Sequence, residues 1–272
     1  MGGQDLLQIE NLSVTYPSGV RALEDVSLSV REGEFVVIAG VSGAGKSTLL
    51  RCINRLVEFT GADLEGHVRF GNQDILQLSS RRMRRLRAEI GMIFQEFNLV
   101  KRSSVIRNVL AGRIPKVGTW RALFGRFRPQ DVEIALASLD RVGIKDKAYQ
   151  RADKLSGGQM QRVGIARALA QEPRIILADE PVASLDPITA RIVMEHLKQI
   201  NVESGITTIV NLHDTVLAQA FGDRIVGIRD ARVIFDEPVD ELDEATFEEA
   251  IYGASLSAHE HRRVSERSSQ TA

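Results

Sequence analysis

Apolar positions along the chain fall into short runs of strand length, interrupted by turn residues. Residues 7–14, 26–30 and 34–39 read as strands, separated by the turn signals Pro17-Ser18-Gly19 and Glu32-Gly33. A helix is predicted over about 45–56, a strand over 66–70 before the turn Gly71-Asn72, and a short buried strand over 90–94. From about 97 to 153 the texture changes. Pro115, Gly118, Gly125 and Pro129 punctuate a helical, loop-rich stretch, with helical spacing over 131–142. Alternation then resumes: helix near 158–170, strand 174–178, helix 187–203, strand 206–210, a helix from about Thr215, and strands at 224–228 and 233–235. Such alternation predicts a parallel sheet covered by helices, with the middle segment inserted as a helical subdomain. No internal repeat is visible. Residues 254–272 are polar with few large apolar groups, which predicts a disordered tail. His259 and His261 lie in that tail and are expected to be solvated rather than metal ligands.

Composition narrows the classes. With 272 residues and 43% apolar content, a packed core is well within reach. The formal charge of −1 gives no global basic excess for nucleic acid or an anionic membrane. The single cysteine, Cys52, excludes an internal disulfide, fits a reducing compartment and reads as a small buried apolar residue. The N-terminus lacks the cationic start and apolar stretch of a secretory signal. No run approaches the roughly 20 apolar residues of a membrane-spanning helix. The chain is therefore expected to be soluble by itself, and another polypeptide must supply any membrane part. The dense basic run at 81–87, RRMRRLR, reads as a solvated helix face; contact with phosphate or an acidic partner is the alternative.

The chemistry concentrates in a few stretches. Residues 40–47, GVSGAGKS, fit G-x-x-x-x-G-K-[ST], with a strand before and a helix after. Gly40, Val41, Ser42, Gly43, Ala44 and Gly45 would wrap phosphates with backbone N–H groups at a helix N-terminus. Lys46 would reach the β- and γ-phosphates, and the Ser47 hydroxyl a Mg²⁺. Downstream, the strand in RIILADEP ends in Asp179-Glu180. Two adjacent carboxylates at a buried strand end need cationic compensation. Asp179 would hold the metal. Side chains alternate on an extended backbone, so Glu180 would point elsewhere, placed to polarise an attacking water. Gln95, leaving the strand IGMIF, could touch Mg²⁺ and that water. His213, ending TTIVNLH, could donate to a γ-phosphate, and Tyr16 could stack on a base. Finally, KLSGGQMQR at 154–162 places Ser156 and Gln159 as a capping box. That leaves Gly157 and Gly158 unexplained. Bare glycines at a helix start allow close approach, and the helix end favours an anion.

GVSGAGKS, Gln95, LSGGQ, LADEP, SLD and His213, in that order, resemble the nucleotide-binding subunit of ATP-binding cassette (ABC) transporters over residues 5–252. The resemblance implies a P-loop NTPase core of α/β class, an N-terminal antiparallel β-subdomain and a helical subdomain inserted at about 97–157. It implies that Tyr16 stacks on adenine, residues from Gly40 to Thr48 bind the phosphates, and Ser47, Gln95 and Asp179 serve Mg²⁺. Glu180 is then the general base, and His213 senses the γ-phosphate. Gln95 also relays to a membrane subunit, Ser184, Leu185 and Asp186 join two subunits, and Ser156, Gly157, Gly158 and Gln159 close over ATP held by a second copy. The implied partners are that second copy, an integral-membrane permease and an extracytoplasmic substrate-binding protein, with no nucleic acid. The implied location is peripheral, on the cytoplasmic face of the inner membrane. LLRCINRLVE, EIGMIFQEFNLV, NVLAGR, TWRALFGRF, DKAYQRADKLSGGQ and IVNLH further resemble importer ATPases for phosphonate, phosphite and related phosphorus anions. The insert at 119–125 is the most distinctive of these pieces. Asp214-Thr215, Asp230-Ala231 and Asp236-Glu237-Pro238 depart from the pattern, and an importer for another small solute is the alternative. A soluble ABC ATPase of DNA repair or translation fits less well, because no heptad run separates Lys46 from Ser156 and only one cassette is present. Intact Glu180 and His213 speak against a regulatory module without turnover.

Overall fold

The strands form two sheets in the computed structural model, which describes residues 4–117, 125–242 and 247. The smaller is antiparallel, in the order β2-β1-β4-β5, from β1 (Asp5–Thr15), β2 (Arg21–Arg31), β4 (Asp63–Phe70) and β5 (Gln73–Asp74). The larger runs β10-β9-β3-β8-β7-β6. Its strands are β3 (Phe35–Ala39), β6 (Ile90–Ile93), β7 (Ile175–Asp179), β8 (Thr207–Leu212), β9 (Arg224–Arg229) and β10 (Arg232–Pro238). All neighbours are parallel except β10, which returns antiparallel to β9.

Near-continuous apolar strands suit a sheet covered on both faces. Alternation then splits each strand between two cores. Phe35, Val37 and Ala39 of β3 join one core; Val36 and Ile38 join the other. The second core lies under the antiparallel sheet, α1 (Lys46–Ile53) and α2 (Ser80–Leu86). The first is covered by α3 (Val105–Leu110), α4 (Pro129–Arg141), α5 (Gly157–Ala170), α6 (Pro187–Ser204) and α7 (Thr215–Phe221). Between β6 and β7 the chain leaves the sheet to form α3, α4 and α5. Of the insert at 119–125 only Gly125 is described, and the 254–272 tail lies outside the described residues. No described helix is long and apolar enough to cross a membrane.

Several boundaries differ from the sequence reading. β2 begins at Arg21 rather than residue 26, because Arg21 and Leu23 pair with Thr15 and Val14 of β1. α1 stops at Ile53: Arg55 takes a left-handed backbone (φ 50°) and its guanidinium bonds the Leu78 carbonyl. β8 continues past Val210 to Leu212, carrying the polar Asn211 inside the sheet. The basic run forms α2 with Met83 and Leu86 buried and Arg81, Arg82, Arg84 and Arg85 exposed, so the solvated-face reading describes it. Arg87 turns inward and donates to the Asn54 carbonyl at 3.1 Å. Asp230 and Ala231 both adopt positive φ (50° and 66°) in the β9–β10 turn, the conformation that favours glycine in tight hairpins. Cys52 is buried, and burial pushes its thiol up to about 12.

Candidate functional site

Ligands of open parallel sheets gather at the carboxyl ends of the strands. Here three adjacent strands deliver the candidate residues to one edge. β3 ends at Ala39 and leads into the phosphate-type loop; β8 ends beside it, Leu212 opposite Ala39; β7 ends with Asp179 opposite Asn211. Gly45 takes φ 110° at the start of α1, and a side chain there would collide with the Ala22 carbonyl. The glycine therefore lets the loop turn into the helix against β2.

Lys46 is buried, and its Nζ donates to the carbonyls of Gly40 (2.7 Å) and Val41 (3.0 Å). It also lies 3.1 Å from His213 Nδ1. His213 Nε2 contacts Glu180 Oε1. A carboxylate only accepts, so Nε2 carries a proton. Nδ1 faces both the Lys46 ammonium, a donor, and the Gly40 carbonyl, an acceptor, each at 3.1 Å. A hydrogen-bonded row thus runs Lys46–His213–Glu180 along the strand ends. Burial pushes the Lys46 pKa down, while Glu180 and then Asp179 oppose that shift. Glu180 adopts φ 49°, a left-handed backbone for a non-glycine. Its direction is set by this turn out of β7, and not by alternation on an extended strand as the sequence suggests. Such conformations persist where surrounding contacts over-determine them.

Asp179 is buried, and its Oδ1 accepts from Ser47 Oγ (2.7 Å) and Asn211 Nδ2 (2.8 Å). The nearest cation is Arg51, at 3.9 Å from Oδ2. Ser47 gives its proton to Asp179 and so keeps its lone pairs for another partner. One carboxylate and one hydroxyl beside a phosphate loop fit Mg²⁺, which commonly takes one or two protein oxygens plus phosphates and water. Tyr16 joins the same region: its hydroxyl lies 3.0 Å from Thr48 Oγ1. Gln95 follows β6, two residues past Ile93, and is exposed. Its side chain makes no hydrogen bond among the described residues.

The Ser156–Gln159 turn sits apart. Ser156 N donates to Gln159 Oε1 at 3.0 Å, and Gln159 N donates back to Ser156 Oγ at 3.4 Å, the capping box of α5. No described hydrogen bond joins this turn to the phosphate loop. A Cβ on Gly158 would come within 2.2 Å of Thr189 Cγ2, whereas one on Gly157 would make only ordinary contact with Leu185 (3.4 Å) and Phe97 (3.8 Å). Asp186 caps α6 by accepting from Thr189 N at 3.0 Å, and its hydrogen bonds with Thr189 hold its carboxyl below the usual range. The sequence reading did not single out Thr189, Asn211 or Arg167. Arg167 of α5 donates to the carbonyls of Asn98 (2.6 Å) and Phe97 (3.1 Å), just beyond Gln95.

A parallel sheet whose strand ends carry a lysine-bearing phosphate loop, a carboxylate pair and a histidine defines a P-loop nucleoside triphosphatase. The ABC transporter family model matches residues 23–183. The chain belongs to the ABC transporter family and is one of its ATPase cassettes. It is 54% identical over 251 residues to "Phosphonates import ATP-binding protein PhnC 3" of Halalkalibacterium halodurans, covering 92% of this chain and 95% of that one. It is 53% identical over 255 residues to "Phosphonates import ATP-binding protein PhnC" of Shouchella clausii, covering 94% of each. Among solved structures it is similar to a dimeric post-hydrolysis state of the ATP-binding cassette MJ0796 bound to ADP and Pi. That match has a TM-score of 0.72 and 36% identity, and covers 86% of this chain and 98% of that one. It is also similar to the ADP conformation of MJ1267, an ATP-binding cassette of an ABC transporter, with a TM-score of 0.78, 29% identity and coverage of 93% and 99%.

Proposed function

We propose that this chain is the ATP-hydrolysing subunit of an importer for phosphonate, phosphite or a related phosphorus oxyanion. Two copies close around ATP and drive a separate permease from the cytoplasmic face of the membrane, and an extracytoplasmic binding protein delivers the solute. The observation that carries the catalytic half is the row Lys46–His213–Glu180 at the edge where the phosphate loop begins. The solute class rests on relatives named as phosphonate importers at 54% and 53% identity. The paired arrangement draws support from the dimeric MJ0796 cassette bound to ADP and Pi.

In this reading residues 5–252 form one cassette, with 97–157 as its helical subdomain. Residues from Gly40 to Thr48 hold the triphosphate, with Lys46 and the loop N–H groups facing its oxygens. Tyr16, tied to Thr48, stacks on adenine. Ser47 and Asp179, joined by Gln95, hold Mg²⁺, which when bound neutralises charge on the phosphate oxygens. Glu180 takes the proton of the attacking water. The His213 Nε2 proton is held by Glu180 here, and with nucleotide bound it would turn to a γ-phosphate oxygen. Buried donors fixed before reaction are effective because they need no rearrangement as charge develops. Ser156, Gly157, Gly158 and Gln159 complete the site held by a second copy, while Asp186 and its neighbours join the two. Gln95 and the 97–128 stretch face the permease. The Arg167 bonds to Phe97 and Asn98, and the fit of Phe97 beside Gly157, support that coupling.

The test has two parts. A deletion strain should lose growth on a phosphonate as sole phosphorus source, and the tagged chain should co-purify with an integral-membrane permease. Normal growth on every reduced-phosphorus source tried, together with loss of growth on another solute, would remove the solute assignment while leaving the ATPase intact. Calorimetry showing phosphonate binding to the isolated chain would overturn the division of labour.

A further inference from the structure

β8 is buried from end to end, yet it carries Asn211 between Val210 and Leu212. Asn211 is fully buried. A polar amide in such a place is unfavourable unless partnered, so its contacts indicate why it is tolerated. It stands directly opposite Asp179 across the β7–β8 ladder. Its Nδ2 donates to Asp179 Oδ1 at 2.8 Å. A carboxylate only accepts, so the amide orientation follows: nitrogen toward Asp179, oxygen away. That oxygen has no hydrogen-bond partner. Asn211 therefore leaves an acceptor unsatisfied in order to make one bond, and that bond goes to Asp179.

Asp179 Oδ1 has two donors, from different parts of the fold. Ser47 reaches it from the first turn of α1, next to the loop that meets the nucleotide. Asn211 reaches it from the middle of the sheet, where neighbouring strands fix the backbone. With Oδ1 taken from both sides, Oδ2 is the less engaged oxygen, with Arg51 at 3.9 Å. Outer-shell donors of this kind orient carboxylate ligands, and their loss commonly weakens metal affinity.

We propose that Asn211 is a positioning residue that pins Asp179 by Oδ1, so that Oδ2 is presented to the divalent cation that accompanies ATP. The inference rests on the reading of Asp179 and Ser47 as the cation site. It makes Asn211 part of the site without contact to nucleotide.

The experiment measures calorimetric binding of a non-hydrolysable ATP analogue to the full chain, first in EDTA and then across a Mg²⁺ titration. For Asn211→Val, the free Mg²⁺ needed for half-maximal tightening should rise about tenfold, while affinity in EDTA stays within about twofold of wild type. Asn211→Ala, which also removes the donor, carries the same measurement if the valine variant fails to fold, with thermal unfolding as the check. A Mg²⁺ requirement unchanged in the variant, or equal losses with and without Mg²⁺, would reduce Asn211 to a packing residue and overturn the proposal. Asp179→Asn separates the two levels. If Asp179→Asn shifts the Mg²⁺ requirement and Asn211→Val does not, only the Asn211 inference fails. If Asp179→Asn does not shift it either, the cation site itself has been misread.

Discussion

The chain has two glycine-bearing turns at helix starts, and they are finished in different ways. The phosphate loop is tied up within the chain: Lys46 to Gly40, Val41 and His213, Ser47 to Asp179, and Tyr16 to Thr48. The 156–159 turn is closed by its capping box and by the Met160 N bond to the Ser156 carbonyl, both within its own helix start, and Ser156 is exposed. A loop built for chemistry gathers charged groups at strand ends, where burial strengthens each interaction. A turn built to close over something else stays open. The difference is the one expected if, as proposed, the second cradle completes a site held by another copy. Substitutions in the two regions should therefore fail in different ways.

The largest effect belongs to the self-contained region. Glu180→Gln keeps the shape of the row to His213 and removes the proton acceptor. Hydrolysis should fall by a factor on the order of 10²–10⁴. ATP binding should persist, and the dimer should accumulate by size-exclusion chromatography with ATP. Hydrolysis at the wild-type rate would move the general base elsewhere.

The glycine pair of the signature turn gives the sharpest contrast. Gly158 is crowded by its own chain, through Thr189 Cγ2, so Gly158→Ala should cost about 1–3 kcal/mol of stability by overpacking. Its failure would say little about a partner. Gly157 has room for a methyl group, so Gly157→Ala should fold normally and bind ATP as a monomer. It should nonetheless lose ATP-driven dimerisation, with turnover falling about tenfold for each 1.4 kcal/mol of closure lost. Normal dimerisation and turnover in Gly157→Ala would return the stretch to a plain helix cap.

Much of this was legible along the chain. GVSGAGKS, LADEP and His213 are local patterns, and strand–helix alternation predicted the parallel sheet that places them together. What escaped depends on pairing between distant segments. Gly158 reads as a glycine bared for an anion until Thr189 is seen against it. Glu180 reads as a strand residue until its φ of 49° turns it out of β7. Asn211 was visible as a polar intruder in TTIVNLH, but only the register with Asp179 gives it a purpose. Arg167 looked like an ordinary helix arginine because its partners are backbone carbonyls near Gln95, which leave no mark in sequence.

Arg167 ties the helix that follows the 156–159 turn to the backbone just beyond Gln95, and burial pushes its pKa down. Arg167→Met keeps the apolar stem and removes both bonds. Because the residue is half-buried, the stability loss should be on the order of 2 kcal/mol, read by denaturant unfolding. Stimulation of ATPase activity by the permease should fall about tenfold, within the usual range of coupling free energies. A loss of stability with full stimulation would make the Arg167 bridge structural only.

The smallest stability effect separates cap from contact at Ser156. Removing an N-cap hydroxyl usually costs about 1 kcal/mol. Here the cap bond is long, 3.4 Å, and exposed, while the reciprocal bond from Ser156 N to Gln159 Oε1 is 3.0 Å and survives the change. Ser156→Ala should therefore cost less than about 0.5 kcal/mol in the monomer, measured by urea unfolding. If the hydroxyl serves a phosphate held by a second copy, turnover should drop by a far larger factor than that stability change explains. A full 1 kcal/mol loss in the monomer with unchanged turnover would reverse the assignment: the serine would belong to its own helix, and closure would rest on the Gly157 backbone alone.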